Sequence, residues 1–382
     1  MPPLRPTKSP AEHAASLARV SASRSPQDAI AAFAGGALPH TILSCCQGVL
    51  LGMFSTRAVL PLRATCRDAV VAVAAHPWDD LRTVICGNVG PALLPPGPGV
   101  QSGAWRGCFP MARGANVSGI KWPENGRRSQ VVDTDFVHFV GLRRLKMRSC
   151  TAVTDAAFVY LAGIQSLEMS YCNQTAITDL AFVPLAGIQS LDMSFCPQTA
   201  ITDSAFVPLA GIQSLKMSGC NQDTITDAAF VPLAGIQSLN MSWCSQRTIT
   251  DAAFVPLAGI QSLNMRYCRQ FTITDAAFVR LAGIQSLNMS RCSQPTITDA
   301  AFAPLTGIQS LNMSECNQPT ITNAAFVPLA GIKSLDMRGC HTITGAAFVH
   351  LAGIRSLFMS SYLRTQVYSA CAAGLPVQDF TR

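Results

Sequence analysis

From about residue 142 onward, apolar and polar side chains recur on a fixed schedule. Ile236, Leu239, Met241 and Cys244 are apolar, Ser238, Asn240 and Ser242 between them are polar, and the same phrase returns 24 residues later. A period of two places leucine and methionine on one side of a short extended strand and serine and asparagine on the other. The next stretch, Ile249 to Phe254, changes period: Ile249 and Phe254 return to the apolar side, while Thr250 or Asp251 is placed to cap a helical turn. Gly259 then closes that turn. The apolar anchor recurs at Leu142, Ile164, Ile188, Ile212, Ile236, Ile260, Ile284, Ile308, Ile332 and Ile354, so ten units run to about Tyr362, spaced by 24 residues in the middle and 22 at each end. Self-similarity at such a period predicts a solenoid.

Proline stands at Pro184, Pro208, Pro232, Pro256, Pro304 and Pro328, yet Tyr160, Arg280 and His350 hold the equivalent place in other units. A backbone N–H is therefore dispensable there, and the helices are expected to be one to two turns long. Nine of the fifteen cysteines form one column, from Cys150 through Cys244 to Cys340. Zinc sites use close Cys-x-x-Cys pairs, which the units lack, so the column reads as buried thiols filling the turn after each strand. That many unpaired thiols favours a reducing compartment, and the chain is expected in the cytoplasm or nucleus.

The spacing Ile-x-x-Leu-x-Met-x-x-Cys resembles the leucine-rich repeat, specifically its cysteine-containing subclass. The resemblance implies an α/β fold: a right-handed solenoid with a parallel sheet on its concave side and short helices on its convex side, over residues 131–362, with 363–382 as a C-terminal cap or tail.

Hydrophobic residues make up 49% of the 382, ample for a core, and no apolar run reaches the roughly 18 residues of a membrane span. Charge is uneven. Residues 1–150 carry a net +9 and residues 151–382 a net −2, so the basic character lies outside most of the units. Residues 1–36 are rich in Ala, Ser, Pro and Arg and read as a disordered leader, a bias that organelle transit peptides share.

Residues 37–82 show helical spacings and none of the repeated phrase. They run Leu38-Pro39-His40-Thr41-Ile42-Leu43, then Val49-Leu50-Leu51, then Leu60-Pro61-Leu62-Arg63 to Cys66-Arg67, and end at Trp78-Asp79-Asp80-Leu81. This order resembles the F-box, with an insertion at Cys45 to Gly48 and Asp68-Ala69 in place of the usual aromatic. The resemblance implies a small all-α domain. F-box followed by leucine-rich repeats is a family of substrate receptors in cullin-based ubiquitin ligases. Carried onto this sequence, Leu38, Pro39, Ile42, Leu43, Leu50, Leu60, Leu62 and Cys66 would bind the Skp-type adaptor, which joins the cullin, and the repeats would hold a target protein. The alternative is a helical cap that only seals the first unit of a binding scaffold with no ligase link. Residues 83–130 read as a Gly-, Pro- and Arg-rich linker in which Trp105, Cys108, Phe109 and Val117 form a degenerate opening unit. Arg127 and Arg128 read as a solvated loop rather than a nucleic-acid contact.

The units differ from one another chiefly at strand positions facing solvent. Aromatic and arginine side chains there suit protein recognition, so Tyr171, Phe195, Lys216, Asn240, Trp243, Asn264, Arg266, Tyr267 and Arg291 are the candidate target-binding residues, centred on Trp243, Asn264, Arg266, Tyr267 and Arg291. Tolerated drift after duplication is the alternative. No nucleophile stands with a base, and the six histidines form no metal or triad pattern. The chain is expected to be no enzyme, to need no cofactor or metal, to bind neither nucleic acid nor membrane, and to act as a monomer within a larger complex.

Overall fold

The computed structural model describes residues 67–86, 100–119 and 131–365. They fall into two compact units, one ending at Asn116 and one beginning at Val117. The expected adaptor-binding residues Leu38, Pro39, Ile42, Leu43, Leu50, Leu60, Leu62 and Cys66 lie outside the described residues, as do Arg127 and Arg128.

In the first unit, α1 (Arg67–Ala75) leads into β1 (Asp79–Cys86), followed by β2 (Val100–Gln101), α2 (Ser102–Cys108) and β3 (Gly114–Asn116). Strand β1 pairs in parallel with both β2 and β3. The expected helical domain ending at residue 82 thus closes inside a strand: Thr83, Val84 and Ile85 are β-branched and favour extended backbone, and they carry β1 back to Asp79. Trp78, Trp105 and Phe109 form its buried centre, with ring centroids 5.6 Å apart for Trp78–Phe109 and 6.0 Å for Trp105–Phe109. The Trp78 indole N–H donates to the Val73 carbonyl at 2.8 Å, so its polar edge is satisfied in the interior. Cys108 is only half-buried.

The second unit is the solenoid. Ten three-residue strands, β4 (Arg144–Lys146), β5 (Ser166–Glu168), β6 (Ser190–Asp192), β7 (Ser214–Lys216), β8 (Ser238–Asn240), β9 (Ser262–Asn264), β10 (Ser286–Asn288), β11 (Ser310–Asn312), β12 (Ser334–Asp336) and β13 (Ser356–Phe358), lie parallel in chain order. Register is unit on unit, Leu215 opposite Leu239 and Leu239 opposite Leu263. The leucine, methionine and cysteine columns are buried as the alternation predicts, and Ile249 and Phe254 return to the same core.

The helical turns are mostly 3₁₀, as at Asp251–Leu257. Proline has no N–H to carry an α-helix through the turn's end. Where Arg280 or Tyr160 stands in its place, Asp275–Val279 and Asp155–Phe158 are α-helical, whereas Gly345–His350, with His350 there, stays 3₁₀. Of the two capping candidates, threonine is the cap: Thr250 Oγ1 accepts from Ala252 N–H at 3.2 Å. The aspartate works between units instead. Asp227 Oδ1 accepts from Thr250 N–H and its Oδ2 from Thr250 Oγ1–H, both at 2.7 Å, and Asp251 repeats this on Thr274. A glycine follows each such turn, Gly259 at φ +85°, a left-handed conformation that an L side chain avoids.

Candidate functional site

The strand ends decide the surface. After Asn240, Met241 N–H still reaches the next unit's Asn264 carbonyl at 2.8 Å, but Ser242 N–H turns instead to Asn240 Oδ1 at 3.1 Å. Asn264 serves Arg266 N–H in the same way at 3.1 Å. Asn240 and Asn264, read from the sequence as target contacts, therefore use their acceptor oxygens to turn their own backbone.

The residue after that turn, just before the cysteine, is left-handed in every unit from Ser149 to Gly339. Tyr171, Phe195, Trp243, Tyr267, Arg291 and Glu315 have φ between 58° and 64° there, against 68° and 73° for Gly219 and Gly339. Side chains other than glycine are held at about 1 kcal/mol of backbone strain in this region. The conformation stacks them along the solenoid. Tyr171 and Phe195 lie 4.7 Å apart at 15°, and the Phe195 ring leans over Gly219, where a Cβ would come within 2.7 Å of its Cδ1. Trp243 and Tyr267 stack at 3.8 Å and 23°.

Cations gather on these rings. Arg148 Cζ is 4.8 Å from the Tyr171 centroid, while Arg266, Arg269 and Arg291 stand 5.2, 5.1 and 4.8 Å from that of Tyr267. Arg291 also meets Glu315 at 2.6 Å. Trp243, Tyr171 and Phe195 are 45%, 39% and 38% exposed, so their apolar area faces solvent although they are ordered by stacking. Lys216 is exposed, 3.9 Å from Asp192, and contributes a weak surface pair.

The structure therefore brings together Trp243, Arg266, Tyr267 and Arg291 as the sequence implies, and Tyr171 with Phe195 as a second pair. Sequence reasoning missed Arg269 and Arg148. Arg269 follows the cysteine, where other units carry Asn, Ser, Pro, Thr or His; comparing that column would have found it. It also missed Gln198, Gln222 and Gln246, which are buried and donate to the preceding unit's cysteine carbonyls at 3.0 to 3.3 Å.

On the helical side, Val183, Val207, Val231, Val255 and Val279 are exposed in an unvarying row, which offers no local address. Cysteine Sγ atoms hydrogen-bond backbone, as Cys244 does to the Met217 carbonyl at 3.1 Å, and burial pushes their thiols upward, to about 12 at Cys220. Neutral, buried thiols are poor nucleophiles and poor ligands. Among the described residues no three His, Cys, Asp or Glu side chains are grouped to hold a metal ion, and no helix is long and apolar enough to cross a membrane.

Comparison with known proteins places these features. The family of BspA-type leucine-rich repeat regions matches residues 133–260 and 247–373, in six copies. No curated protein matches the chain. Among solved structures, the TLR13–ssRNA13 complex is similar over 66% of this chain and 36% of that one, at 20% identity and a TM-score of 0.51. The Toll–Spatzle complex of Drosophila is similar over 60% and 38%, at 14% identity and a TM-score of 0.41. The chain spans little more than a third of the solved chains it matches, and at these identities the likeness is one of fold.

Proposed function

We propose, from the premise that the chain belongs to the BspA-type leucine-rich repeat family, that it is a non-enzymatic receptor for another polypeptide, gripping it along the strand-end column. The observation that carries this reading is the stack of the exposed Trp243 on the half-buried Tyr267, both on left-handed backbone, with guanidinium groups gathered around it. Large, pre-ordered rings bury area at small entropic cost, and arginine adds polar contacts around them. Alanine at Trp243 or at Tyr267 is expected to weaken capture of the target by about 1 kcal/mol or more each. The check is quantitative pull-down with the full chain, comparing W243A and Y267A with V231S on the opposite face. Proteins retained equally by all four forms would remove the column as a receptor surface.

The finer reading is that residues 37–82 tether this receptor to a Skp-type adaptor and cullin in a cytoplasmic or nuclear ubiquitin ligase, through contacts at Leu38 to Cys66. What supports it is the sequence order from Leu38-Pro39 through Cys66-Arg67, with α1 and the buried Trp78 following at the expected distance. Deleting 37–66 separates the two possibilities: an adaptor and cullin held only by the intact chain make it a ligase receptor, and neither held by either form makes it an untethered scaffold.

A further inference from the structure

We propose that the Tyr267 cluster binds the phosphate monoester of a phosphorylated side chain on the partner polypeptide, with Arg266, Arg269 and Arg291 as its ligands. The inference rests on the receptor reading above and names the chemistry that the receptor selects.

Three guanidinium groups converge on one ring, their Cζ atoms within 5.2 Å of its centroid. One carboxylate answers them, Glu315 on Arg291. The chain itself supplies the comparison. Arg338 occupies the same place in its unit as Arg266, but Asp336 stands two residues before it and takes both its Nε and its terminal nitrogen, at 3.0 and 2.6 Å. Before Arg266 the residue is Asn264, whose oxygen is already engaged with backbone. Arg266 Nε is buried with no hydrogen-bond partner among the described residues, and Arg269 reaches only the Arg291 carbonyl, at 3.4 Å. Arg266 and Arg269 thus stand around the ring beside Arg291 with no carboxylate of their own, which leaves donors and positive charge free for an anion.

A carboxylate presents two oxygens and one charge, enough for a single arginine fork. Three forks with a net charge near +2 match a phosphate monoester, with three acceptor oxygens and a charge between −1.5 and −2 near neutral pH. A nucleic-acid strand would ask for positive charge along a track. Here the lysines farther along the strand face stand beside carboxylates, Lys146 by Glu168 at 3.5 Å and Lys216 by Asp192 at 3.9 Å, and Tyr267 has Trp243 on one face. Arg148 stands alone on Tyr171, so among the described residues the close grouping of three guanidinium groups around one ring, with a single carboxylate, is found at Tyr267, as a single phosphorylated residue requires.

The test titrates the full chain with phenyl phosphate, benzoate and a ten-residue oligothymidylate at physiological salt, read by calorimetry. Phenyl phosphate is expected to bind at least tenfold tighter than benzoate. That preference should fall at least tenfold in R269Q and vanish in R269Q/R291Q, both at side chains outside the core, while R338Q leaves it unchanged. Equal affinity for phenyl phosphate and benzoate, an equal loss in R338Q, or an oligonucleotide bound more tightly than phenyl phosphate would each overturn the proposal. Phosphatase treatment of the captured partner separates this inference from its premise. If capture still needs Trp243 and Tyr267 but ignores the phosphatase, the phosphate site falls and the receptor stands; if capture ignores Trp243 and Tyr267, the receptor itself falls.

Discussion

The residue before each cysteine is where single side chains decide the most. Its left-handed backbone suits glycine, yet only Gly219 and Gly339 take it among the units from Tyr171 to Gly339. Gly219 has a second reason beyond φ, since the Phe195 ring occupies the space a Cβ would need, whereas Gly235, at φ +84°, has nothing within 4 Å of its Cβ direction. Alanine at either position meets the left-handed penalty of about 1 kcal/mol. At Gly219 it also displaces the ring, an overpacking cost of roughly 1–3 kcal/mol more. Denaturant unfolding of G219A and G235A should therefore show a clear gap between two nominally identical substitutions. Equal losses would mean that the Phe195 ring does not rest on Gly219, and the first aromatic stack would have to be redrawn.

Among the elements, the 3₁₀ turns are too short to hold themselves, and their stability comes from bonds to the neighbouring unit. Each aspartate accepts from both the backbone and the hydroxyl of the next unit's threonine, from Asp133 on Thr154 to Asp299 on Thr322, and at the last step Asn323 takes over with Thr344. Asp227→Ala removes two charge-assisted acceptors and leaves Thr250 N–H without one, so a loss of about 2–3 kcal/mol is expected. Asp227→Asn should lose less, because Asn323 shows that an amide can span the same gap; thermal melts of the two variants check this, and equal losses would discount the ladder. The strands, the core columns, a cap at Thr250 or Asp251 and Gly259 as turn closure were all legible in the sequence, because each expresses a local rule of period or capping; the structure chose Thr250. The aspartate ladder and the buried glutamines were not, since their partners lie 21 to 26 residues away and a polar residue in a turn reads as solvated. The left-handed column was hidden for the opposite reason: Trp243 and Tyr267 favour extended strand by propensity, and tertiary stacking overrides it. The surface cluster was visible as variation between units, but Arg269 was not, because it stands after the cysteine rather than on the strand. The clearest departure from the sequence reading is β1, where a β-branched run forms a strand in residues assigned to the helical domain.

For the molecule as a whole, the stacked thiols make stability depend on alkaline pH in a direction that can be worked out. Burial raises the cysteine thiols from 9.0 to about 12 at Cys172, Cys220 and Cys292 and to about 11 at Cys340, and raises the other five in the column as well. Below pH 9 both folded and unfolded chains keep these protons, and the thiols add no pH dependence. Between pH 9 and the folded values, the unfolded chain releases protons that the folded chain retains, so unfolding becomes more favourable as pH rises. Each thiol contributes about 1.4 kcal/mol per pH unit in that window, and the column multiplies the effect ninefold. One unit above pH 9 this is on the order of 10 kcal/mol, comparable with the whole net stability of an ordinary domain. The solenoid is therefore expected to unfold cooperatively near pH 10 in reducing buffer, followed by circular dichroism. Replacing Cys220, Cys244 and Cys268 with alanine lowers stability at neutral pH but should flatten its decline above pH 9 by about a third, because three of the nine titrating groups are gone. A decline that is unchanged in slope would mean that the thiols are not the groups that sense alkali, and that the column is less sealed than its geometry indicates.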